Sequence, residues 1–510
     1  MISSKKDISF LRKGFSKLKN CNTRLTKENS GFKKNYINLL VENAKILKDN
    51  DFLIPKLRLS EEREQKLLEE LSELKSRLAK NSSNSSKPPS TDIRRTKSLR
   101  ESSGLKSGGQ TGHKGSNLPM VSNPDKVEVH PVDTCSGCGG DLRNTNVQDY
   151  DRRQVFDLPP IRMEVTEHVC EIKCCPHCQT ENKGIFPADV NQPTQYGNKL
   201  KGWCVYLSAY HFIPYERCSQ LIRDLTGMAP SKGTLVNFNN LMRQNLVDSG
   251  FEADLKEKLL ASNVCNADET GYYFDDERYW LHTFSTEDLT YYYPHVKRGQ
   301  EAMKDMGLLP LYTGVLVHDF WKSYLEYENC KHSLCNIHHL RDLAFCEEQE
   351  NNEWAVKMKK MLLELKAEVD NCKENGLTAI EPEQLIILEN RYDALVDEGY
   401  QKYPFPVKEA GKRGSVKKTK SQNMMERFKN HKDKVLRFIR DFKVPFGNNI
   451  AEQAMRMTKV KLKISGCFRS TEGVESFALN RSYIDTNRKQ GNNIVEAIGL
   501  AINGKPIFAR

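Results

Sequence analysis

The alternation of apolar and polar positions divides this chain into stretches with different periods. Between Ser60 and Ala79, leucines recur at spacings of four, three and four with Glu and Lys between them, which predicts a helix. Helical periods also run through residues 195–250 and 336–400. Residues 263–335 instead hold short runs rich in β-branched and aromatic residues, separated by turn residues, and these runs predict strands. Together the stretches predict a multidomain α/β chain.

The leucine repeat has two interpretations. Its members resemble the seam of a coiled coil, but they span only two heptads, fewer than a secure assignment needs. A dimerisation helix and a surface helix that packs on its own chain are equally consistent with the pattern. The repeat consists of Leu67, Leu71, Leu74 and Leu78.

The helical stretch 195–250 contains a turn at Gly227–Pro230. Ser231 follows the turn and is expected to cap the next helix, because its hydroxyl can accept a hydrogen bond from a free backbone N–H. Two helices around a short turn fit either a plain helical hairpin or a DNA-binding helix–turn–helix. We favour the plain hairpin, which is the more general arrangement.

Composition restricts the class of protein. A length of 510 residues exceeds what one domain usually needs, and two to four domains are expected. Hydrophobic residues make up 38%, which is enough for a globular core and excludes a wholly disordered or collagen-like chain. We find no apolar run of membrane-spanning length and expect no membrane partner. Residues 81–115 are rich in Ser, Asn, Pro and Gly and are expected to form a linker.

Charge is distributed unevenly along the chain. The net charge of +11 (78 Lys and Arg against 67 Asp and Glu) is the sum of +12 for residues 1–100, −16 for residues 101–400 and +15 for residues 401–510. Basic ends therefore flank an acidic middle. Positive charge favours an acidic partner such as nucleic acid, and the two ends are where phosphates would bind.

Cysteine usage and the N-terminal residues predict the compartment. Lys5, Lys6 and Asp7 lie where a signal peptide needs an apolar stretch, so we expect a cytoplasmic protein, in a prokaryotic cytosol or nucleoid. The 15 cysteines would then be reduced, and clustered cysteines would bind metal rather than form disulfides.

Two C-x2-C pairs predict a structural zinc site. Each pair places two thiolates on one tight turn, and four thiolates form a closed tetrahedral site for Zn²⁺. Extended runs between the pairs are typical of a zinc ribbon that contacts DNA. The expected ligands are Cys135, Cys138, Cys175 and Cys178. The fourth ligand is the least fixed, with alternatives at Cys174, His177, Cys170 and His168.

Three carboxylates form a candidate catalytic set. Asp268 lies late in one apolar run, Asp319 just after another, and Glu452 in the first turn of a helical stretch. Carboxylates on two strand ends and one helix can hold two Mg²⁺ ions at a phosphodiester. The competing acidic residues are Glu269, Asp275, Asp276 and Glu277. Of these, Glu269 is expected to point to the opposite face of its strand from Asp268.

The helix that carries Glu452 also carries cations. Arg456, Lys459 and Lys463 follow Glu452 at i+4, i+7 and i+11 and therefore share its face. Cations at this spacing beside a metal site are suited to DNA phosphates.

Several sequence blocks resemble the DDE transposases of the insertion-sequence 66 family, from about residue 70 to the C-terminus. They are KNSSNSSKPPSTD, GGQTGHKG, the two C-x2-C pairs, NADETG, VHDFWKSY, the C-N-I-H of Cys335–His338, and the block from VPFGNNIAEQ to DTNRKQG. The resemblance implies an RNase H-like catalytic domain, preceded by the zinc ribbon, with a catalytic DDE triad at Asp268, Asp319 and Glu452. It therefore favours these three carboxylates over their acidic neighbours.

The resemblance also implies an order of domains. A long gap between Asp319 and Glu452 predicts a helical insertion. Cys335 and His338 are expected to pack beside the active site, metal binding being the alternative, and His318 is expected to line the site. The expected order is a basic helical region (1–80), the linker (81–115), the zinc ribbon (116–182), a helical region (190–260), the first part of the RNase H-like core (261–345), the insertion and a basic loop (346–445), the Glu-bearing helix (446–480) and a C-terminal tail (481–510).

The expected function is transposition of an insertion sequence. The protein would use two Mg²⁺ ions, with Mn²⁺ as a substitute, to cut DNA at the terminal inverted repeats and join the ends to target DNA. Its expected partners are these DNAs, further copies of the chain, and small accessory proteins of the same element. The alternatives are a non-catalytic zinc-ribbon DNA-binding protein and a metal-dependent nuclease without strand transfer.

Overall fold

The computed structural model describes residues 3–46, 53–81, 84–85, 118–274, 277–406 and 416–509. Contacts divide the chain into two units, Met1–Lys80 and Asn81–Arg510. Most of the expected linker, Asp275, Asp276 and most of the basic loop before residue 420 lie outside the described residues. In the described part of the chain, no helix is both long and apolar enough to cross a membrane.

The first unit consists of two helices, α1 (Ser3–Ile46) and α2 (Leu53–Ala79). Helix α2 confirms the helix predicted from the leucine repeat and begins earlier than the repeat does. Helix α1 lies within the basic helical region expected for residues 1–80, although the basic and mixed sequence of the first 50 residues predicted no individual helix there. The four leucines of the repeat are 49 to 75% exposed, so nothing supports the interpretation that they pack on their own chain.

The segment with the C-x2-C pairs has little regular structure. Its strands β1 (Ile172–Cys174) and β2 (Glu181–Lys183) pair antiparallel. A single bridge joins Thr134 to Asp141. We expected two extended runs between the cysteine pairs, and of that stretch only β1 is a strand.

Four helices lie between the segment with the C-x2-C pairs and the main sheet and confirm the predicted helical stretch. They are α3 (Asn198–Val205), which continues into a π-helical turn (Tyr206–Tyr210), α4 (Tyr215–Thr226), α5 (Lys232–Asp248) and α6 (Phe251–Ala261). Ser231 is the N-cap of α5, as expected, and its Oγ accepts from the backbone N–H of Thr234 at 3.2 Å.

The main sheet has five strands in the order β5-β4-β3-β6-β7. Strands β3, β4 and β5 form an antiparallel meander, and β6 and β7 run parallel to β3. The mixed sheet among helices confirms the α/β class. The strands are β3 (Val264–Phe274), β4 (Glu277–Ser285), β5 (Thr290–His295), β6 (Val315–His318) and β7 (Lys331–Leu334), with helix α7 (Gln300–Met306) between β5 and β6.

Helices cover both faces of the sheet. Cys265 and Ala267 of β3 are buried in a core that includes residues of α3 to α6. The alternate face carries Tyr272 and Leu281, which are buried with residues of the two helices described next, α14 and α15. Because successive strand residues point to opposite faces, this division assigns each polar residue of β3 to one side.

Between β7 and the helix that carries Glu452, residues 335–406 and 416–448 are described and contain six helices, which fits the predicted helical insertion. They are α8 (Asn336–Glu350), α9 (Glu353–Glu374), α10 (Pro382–Lys402), α11 (Lys420–Asn430), α12 (Lys432–Val435) and α13 (Arg437–Arg440). Trp354, Leu362, Tyr392 and Phe428 are buried in a core of these helices. Since Leu343 of α8 belongs to the same core, the packed unit begins before the expected boundary at 346.

The C-terminal helices are α14 (Asn449–Ser465), α15 (Thr471–Lys489) and α16 (Ile494–Ile502). The boundary expected after residue 480 falls inside α15, and Tyr483 and Ile498 are buried in the core beneath the sheet. The segment 481–510 is therefore packed core, not a tail. The sequence did not predict this burial, because the segment is rich in polar residues whose charges pair with each other in the core. Arg481 and Asp485 are buried with their Nη2 and Oδ1 atoms 2.5 Å apart.

Candidate active site and zinc module

Asp268 and Asp319 lie side by side just beyond the point where the parallel pairing of β3 with β6 ends. Strand β6 pairs with β3 only as far as Asn266, opposite Val317, and Asp319 directly follows β6. The register therefore places Asp268 level with Asp319. We expected Asp268 at a strand end. It is instead the fifth of the eleven residues of β3, because β4 continues to pair with β3 up to Phe274.

Two buried asparagines link the start of α14 to β3 by hydrogen bonds. The Asn448 side chain donates to the carbonyl oxygen of Ala267 at 2.7 Å, and the Asn266 side chain donates to Asn448 Oδ1 at 2.8 Å. Glu452 follows in the first turn of α14, as predicted. The asparagine pair thus brings Glu452 to the part of β3 that carries Asp268. Sequence reasoning missed both residues, although Asn448 lies in the GNN of the long matching block.

The three carboxylates act on one another electrostatically. The pKa of Asp268 is raised well above its ordinary value, first by burial and then by the negative charges of Glu269, Asp319 and Glu452. Asp319 Oδ1 accepts a hydrogen bond from the backbone N–H of Trp321 at 3.0 Å. Such a cluster is costly until a cation compensates it.

Cys335 and His338 contact the same helix start. Cys335 directly follows β7, and its Sγ accepts from the backbone N–H of Asn448 at 3.2 Å. His338 Nδ1 lies 3.8 Å from Glu452 Oε1. Burial raises the pKa of the Cys335 thiol to about 12, which agrees with the expected packing role. The alternative role, metal binding, gains a third candidate ligand, because Glu452 joins the cysteine and histidine.

Potential ligand atoms converge within 4.8 Å in two groups of the described residues. One is Cys335, His338 and Glu452, and the other is His295, Glu301 and Asp305 on the surface. The set Asp268, Asp319 and Glu452 does not converge to this degree, and neither do the four cysteines of the expected zinc site.

Glu269 has partners of its own. Its Oε1 accepts from Arg298 Nη2 at 2.7 Å, and its Oε2 accepts from the Tyr324 hydroxyl at 2.6 Å. Since Glu269 and Asp268 are adjacent strand residues, these partners belong to the other face of the sheet, as predicted. Of the other competitors, Glu277 is exposed at the start of β4, and Asp275 and Asp276 lie outside the described residues.

His318 is buried beside Asp319. Its Nε2 lies 3.0 Å from His332 Nδ1, and its Nδ1 contacts the Asp319 carbonyl oxygen. Burial lowers the pKa of His318 to about 3, so the ring is neutral near pH 7. This position agrees with the expected role of lining the site.

The two C-x2-C pairs have the same local structure. The backbone N–H of Cys135 donates to the Gly140 carbonyl at 2.9 Å, and that of Cys175 donates to the Thr180 carbonyl at 2.8 Å. The residue after each second cysteine has a left-handed backbone, with φ of 74° at Gly139 and 60° at Gln179. The chain thus forms the same turn at each C-x2-C pair.

Two thiols of these turns, Cys135 and Cys178, have a lowered pKa. Hydrogen bonds from the backbone of Cys138 and Gly137 lower the pKa of Cys135. The hydroxyl and backbone of Thr180 lower the pKa of Cys178. Thiolates are the form that binds zinc. By contrast, the alternative ligand Cys174 donates its S–H to the Gln179 carbonyl at 3.2 Å.

Family models identify the chain. The model described as "Transposase IS66 family" matches residues 193–476, more than half of the 510 residues. The chain belongs to the IS66 transposase family. The zinc-finger binding domain of transposase IS66 matches residues 133–179, and a family of unknown function, DUF6444, matches residues 40–119. No curated protein matches the chain.

Membership of the IS66 family supports part of the predicted function. It gives the protein a transposase role, and its zinc-finger domain supports structural Zn²⁺ and DNA as a partner. The transposase match includes Asp268, Asp319 and Glu452, and the zinc-finger match includes all four expected cysteines.

The basic residues of α14 are exposed in this IS66 transposase. Arg456, Lys459 and Lys463 all face solvent. Arg456 Nη2 lies 3.6 Å from Glu452 Oε2, which places the first of these cations at the candidate site. The other two extend away along the helix, by about 1.5 Å per residue.

Proposed function

We propose that this IS66-family transposase cuts a phosphodiester bond at the element's ends and joins the freed 3′-hydroxyl to target DNA, using Asp268, Asp319 and Glu452. The observation that carries the proposal is the placement of the carboxylates. The register puts Asp268 level with Asp319, and the Asn448 side chain, bonded to the Ala267 carbonyl, holds the helix turn that carries Glu452 at the same part of β3. The sheet supports an RNase H-like domain, since three antiparallel strands are followed by two parallel ones in the order β5-β4-β3-β6-β7.

The acidic cluster fits divalent cations. Glu452 Oε1 is buried without a hydrogen-bond partner, and the charge on Asp268 is opposed by three carboxylates. Asp268 and Asp319 would hold both Mg²⁺ ions, or Mn²⁺ in their place, and Glu452 would complete the ligands of one. When bound, such ions activate a water or 3′-hydroxyl and stabilise the leaving oxygen. Oxygen ligands of this type are those that Mg²⁺ prefers.

The chain's own residues would position the DNA and the carboxylates. Asn266 and Asn448 hold Glu452 near β3, and the Trp321 N–H orients Asp319. Arg456, Lys459 and Lys463 would bind phosphates along the exposed face of α14. Because Arg456 is next to Glu452, the bound strand would pass the carboxylates as it follows these cations.

The zinc module and the N-terminal helices would bind the terminal repeats. Cys135, Cys138, Cys175 and Cys178 would hold Zn²⁺, which a segment with so little regular structure needs for a defined shape. The exposed leucines of α2 favour assembly of several copies on DNA. Whether accessory proteins of the same element take part would be tested by adding them to the purified transposase.

Paired variants test the proposal. Asp268→Asn should abolish strand cleavage and leave binding of the element's ends intact, while Asp288→Asn, in the exposed β4–β5 turn, should cleave normally. Unchanged cleavage by Asp268→Asn would refute the assigned triad. Binding without any cleavage by the wild type would favour a non-catalytic DNA-binding protein, and cleavage without joining would favour a nuclease.

A further inference from the structure

Two tryptophans and two arginines form a contiguous stack on the side of the sheet opposite the Asp268 carboxyl. The Arg298 guanidinium lies 4.2 Å from the ring centroid of Trp321 and 4.8 Å from that of Trp280. The Arg278 guanidinium lies 4.3 Å from the same Trp280 ring. We call these four residues the Arg–Trp stack.

The stack is anchored by Glu269. The Arg298 Nε and Nη2 atoms donate to Glu269 Oε1 at 3.0 and 2.7 Å, and Tyr324 donates to the other carboxylate oxygen. The Glu269 side chain is only 2% exposed, whereas that of Arg298 is 41% exposed. A buried carboxylate thus fixes a cation at the surface, which is a preorganised arrangement and not a loose surface ion pair.

A glycine makes room for the outer arginine. Gly271 of β3 lies opposite Trp280 of β4. A Cβ atom at Gly271 would fall 2.8 Å from Arg278 Nε. Arg278 therefore lies across the β3 backbone, and an alanine at position 271 would displace it.

The stack adjoins the catalytic candidates. Trp321 donates its backbone N–H to Asp319, and Glu269 directly follows Asp268. Arg278 is exposed, and Trp280 and Trp321 are half-buried, so the stack offers both cationic and aromatic surface to a ligand.

We propose that the Arg–Trp stack binds an unpaired nucleotide of the DNA strand next to the bond that is cut, a proposal that rests on the proposed function. Aromatic rings and guanidinium planes bind single strands by stacking on base faces, and arginines also bind the phosphates. Paired bases in a duplex present their edges and not their faces, so only an unpaired base can stack here. The stack would hold that base out of the helix while the phosphodiester lies at the carboxylates.

Binding of labelled oligonucleotides to the full-length protein tests this proposal. The probes are a 20-nucleotide single strand and the duplex of the same sequence. Trp321→Leu and Trp280→Leu should each weaken single-strand binding at least fivefold and change duplex binding less than twofold. The control, Trp203→Leu, changes an exposed tryptophan of α3 and should affect neither. Unchanged single-strand binding, or equal losses for both probes, would overturn the proposal.

Gly271→Ala is the milder second variant, because Gly271 has an ordinary extended backbone and only the Arg278 side chain must move. It should weaken single-strand binding by two- to fivefold with an unchanged thermal midpoint. A cleavage readout adds a rescue: a mismatch beside the cut bond, which supplies an unpaired base, should restore part of the rate lost in Trp321→Leu. Absence of both effects would contradict the stack's role.

The outcome for the triad is separate. Asp268→Asn should bind the single strand like the wild type, because it leaves all four members of the stack in place. If Asp268→Asn cleaves normally, the proposed function is wrong, even if the two tryptophan substitutions weaken single-strand binding. If Asp268→Asn abolishes cleavage but neither tryptophan substitution changes single-strand binding, only the stack proposal is wrong.

Discussion

His338 Nδ1 and Glu452 Oε1 face each other at 3.8 Å, and neither atom has a hydrogen-bond partner although both are buried. One residue begins the helical insertion and the other lies in the first turn of α14, 114 residues later by their numbers. A small movement of either side chain would make a hydrogen bond. His338 is thus placed to orient the Glu452 carboxylate, which would complete the ligands of one cation.

His338→Ala should therefore lower the cleavage rate by about 10- to 100-fold, the usual cost of losing a residue that orients a metal ligand. Binding of the element's ends should not change. A matched control is Gln349→Ala, at an exposed position of the same helix. The rates are compared at saturating Mg²⁺ and again at saturating Mn²⁺. Equal rates for His338→Ala and the wild type would show that the contact has no role in cleavage.

The raised pKa of Asp268 predicts a pH-dependent gain in stability for Asp268→Asn without divalent cations. Above the native pKa, the wild type carries a buried charge that destabilises the folded state, and asparagine removes it. At pH 8 the thermal midpoint should rise by about 2–4 °C, on the order of 1 kcal/mol. The gain should disappear as the pH falls towards the ordinary aspartate value of 3.8, where the native carboxyl is already neutral. A gain independent of pH would contradict the electrostatic explanation.

Zinc content distinguishes the expected ligands from their neighbours. Cys138→Ser should reduce bound zinc well below one ion per chain, as measured by elemental analysis of the purified protein. Cys174→Thr is a strict control, because Thr134 occupies the equivalent position before the other turn. It should retain zinc. If Cys174→Thr loses zinc and Cys138→Ser retains it, Cys174 is a zinc ligand and Cys138 is not.

The leucine repeat of α2 predicts self-association. Replacing Leu71 and Leu78 by Gln should lower the molar mass measured by light scattering, because these exposed side chains would lose their apolar contact with another copy. Replacing Lys75 and Glu70 by Gln, also on α2, is the control and should leave the mass unchanged. A wild type that is monomeric at all concentrations would rule out the coiled-coil interpretation.

Much of the fold could be predicted from local patterns. The strands of 263–335 and the helices of 195–250 and 336–400 follow from periods and turn residues that act over a few positions, and Ser231 caps a helix by a contact within one turn. The elements that were missed depend on distant contacts. From the sequence, Arg481 and Asp485 would be expected at the surface because they are charged. They are instead buried beside the Tyr292 hydroxyl, which donates to Asp485.

The candidate site was predictable only in part for the same reason. Asp268 and Asp319 could be named from their places in or after apolar runs, Glu452 from its place in the first turn of a helical stretch, and all three from the resemblance. The link between Asn266 and Asn448, however, spans 182 positions and leaves no local pattern. The same holds for Glu269 and Arg298, whose contact depends on the course of the chain through β4 and β5. A sequence gives the residue types at such contacts but not which of them meet.

Cleavage and joining of the element's own ends in Mg²⁺ is the most direct measurement of the proposed triad, with wild type and Glu452→Gln compared side by side. The substitution keeps the size of the side chain and the start of α14, so binding of the ends should be unchanged. The wild type should release 3′-hydroxyl ends and join them to target DNA, and Glu452→Gln should do neither. Normal cleavage and joining by Glu452→Gln would contradict the assignment of Asp268, Asp319 and Glu452 as the catalytic carboxylates.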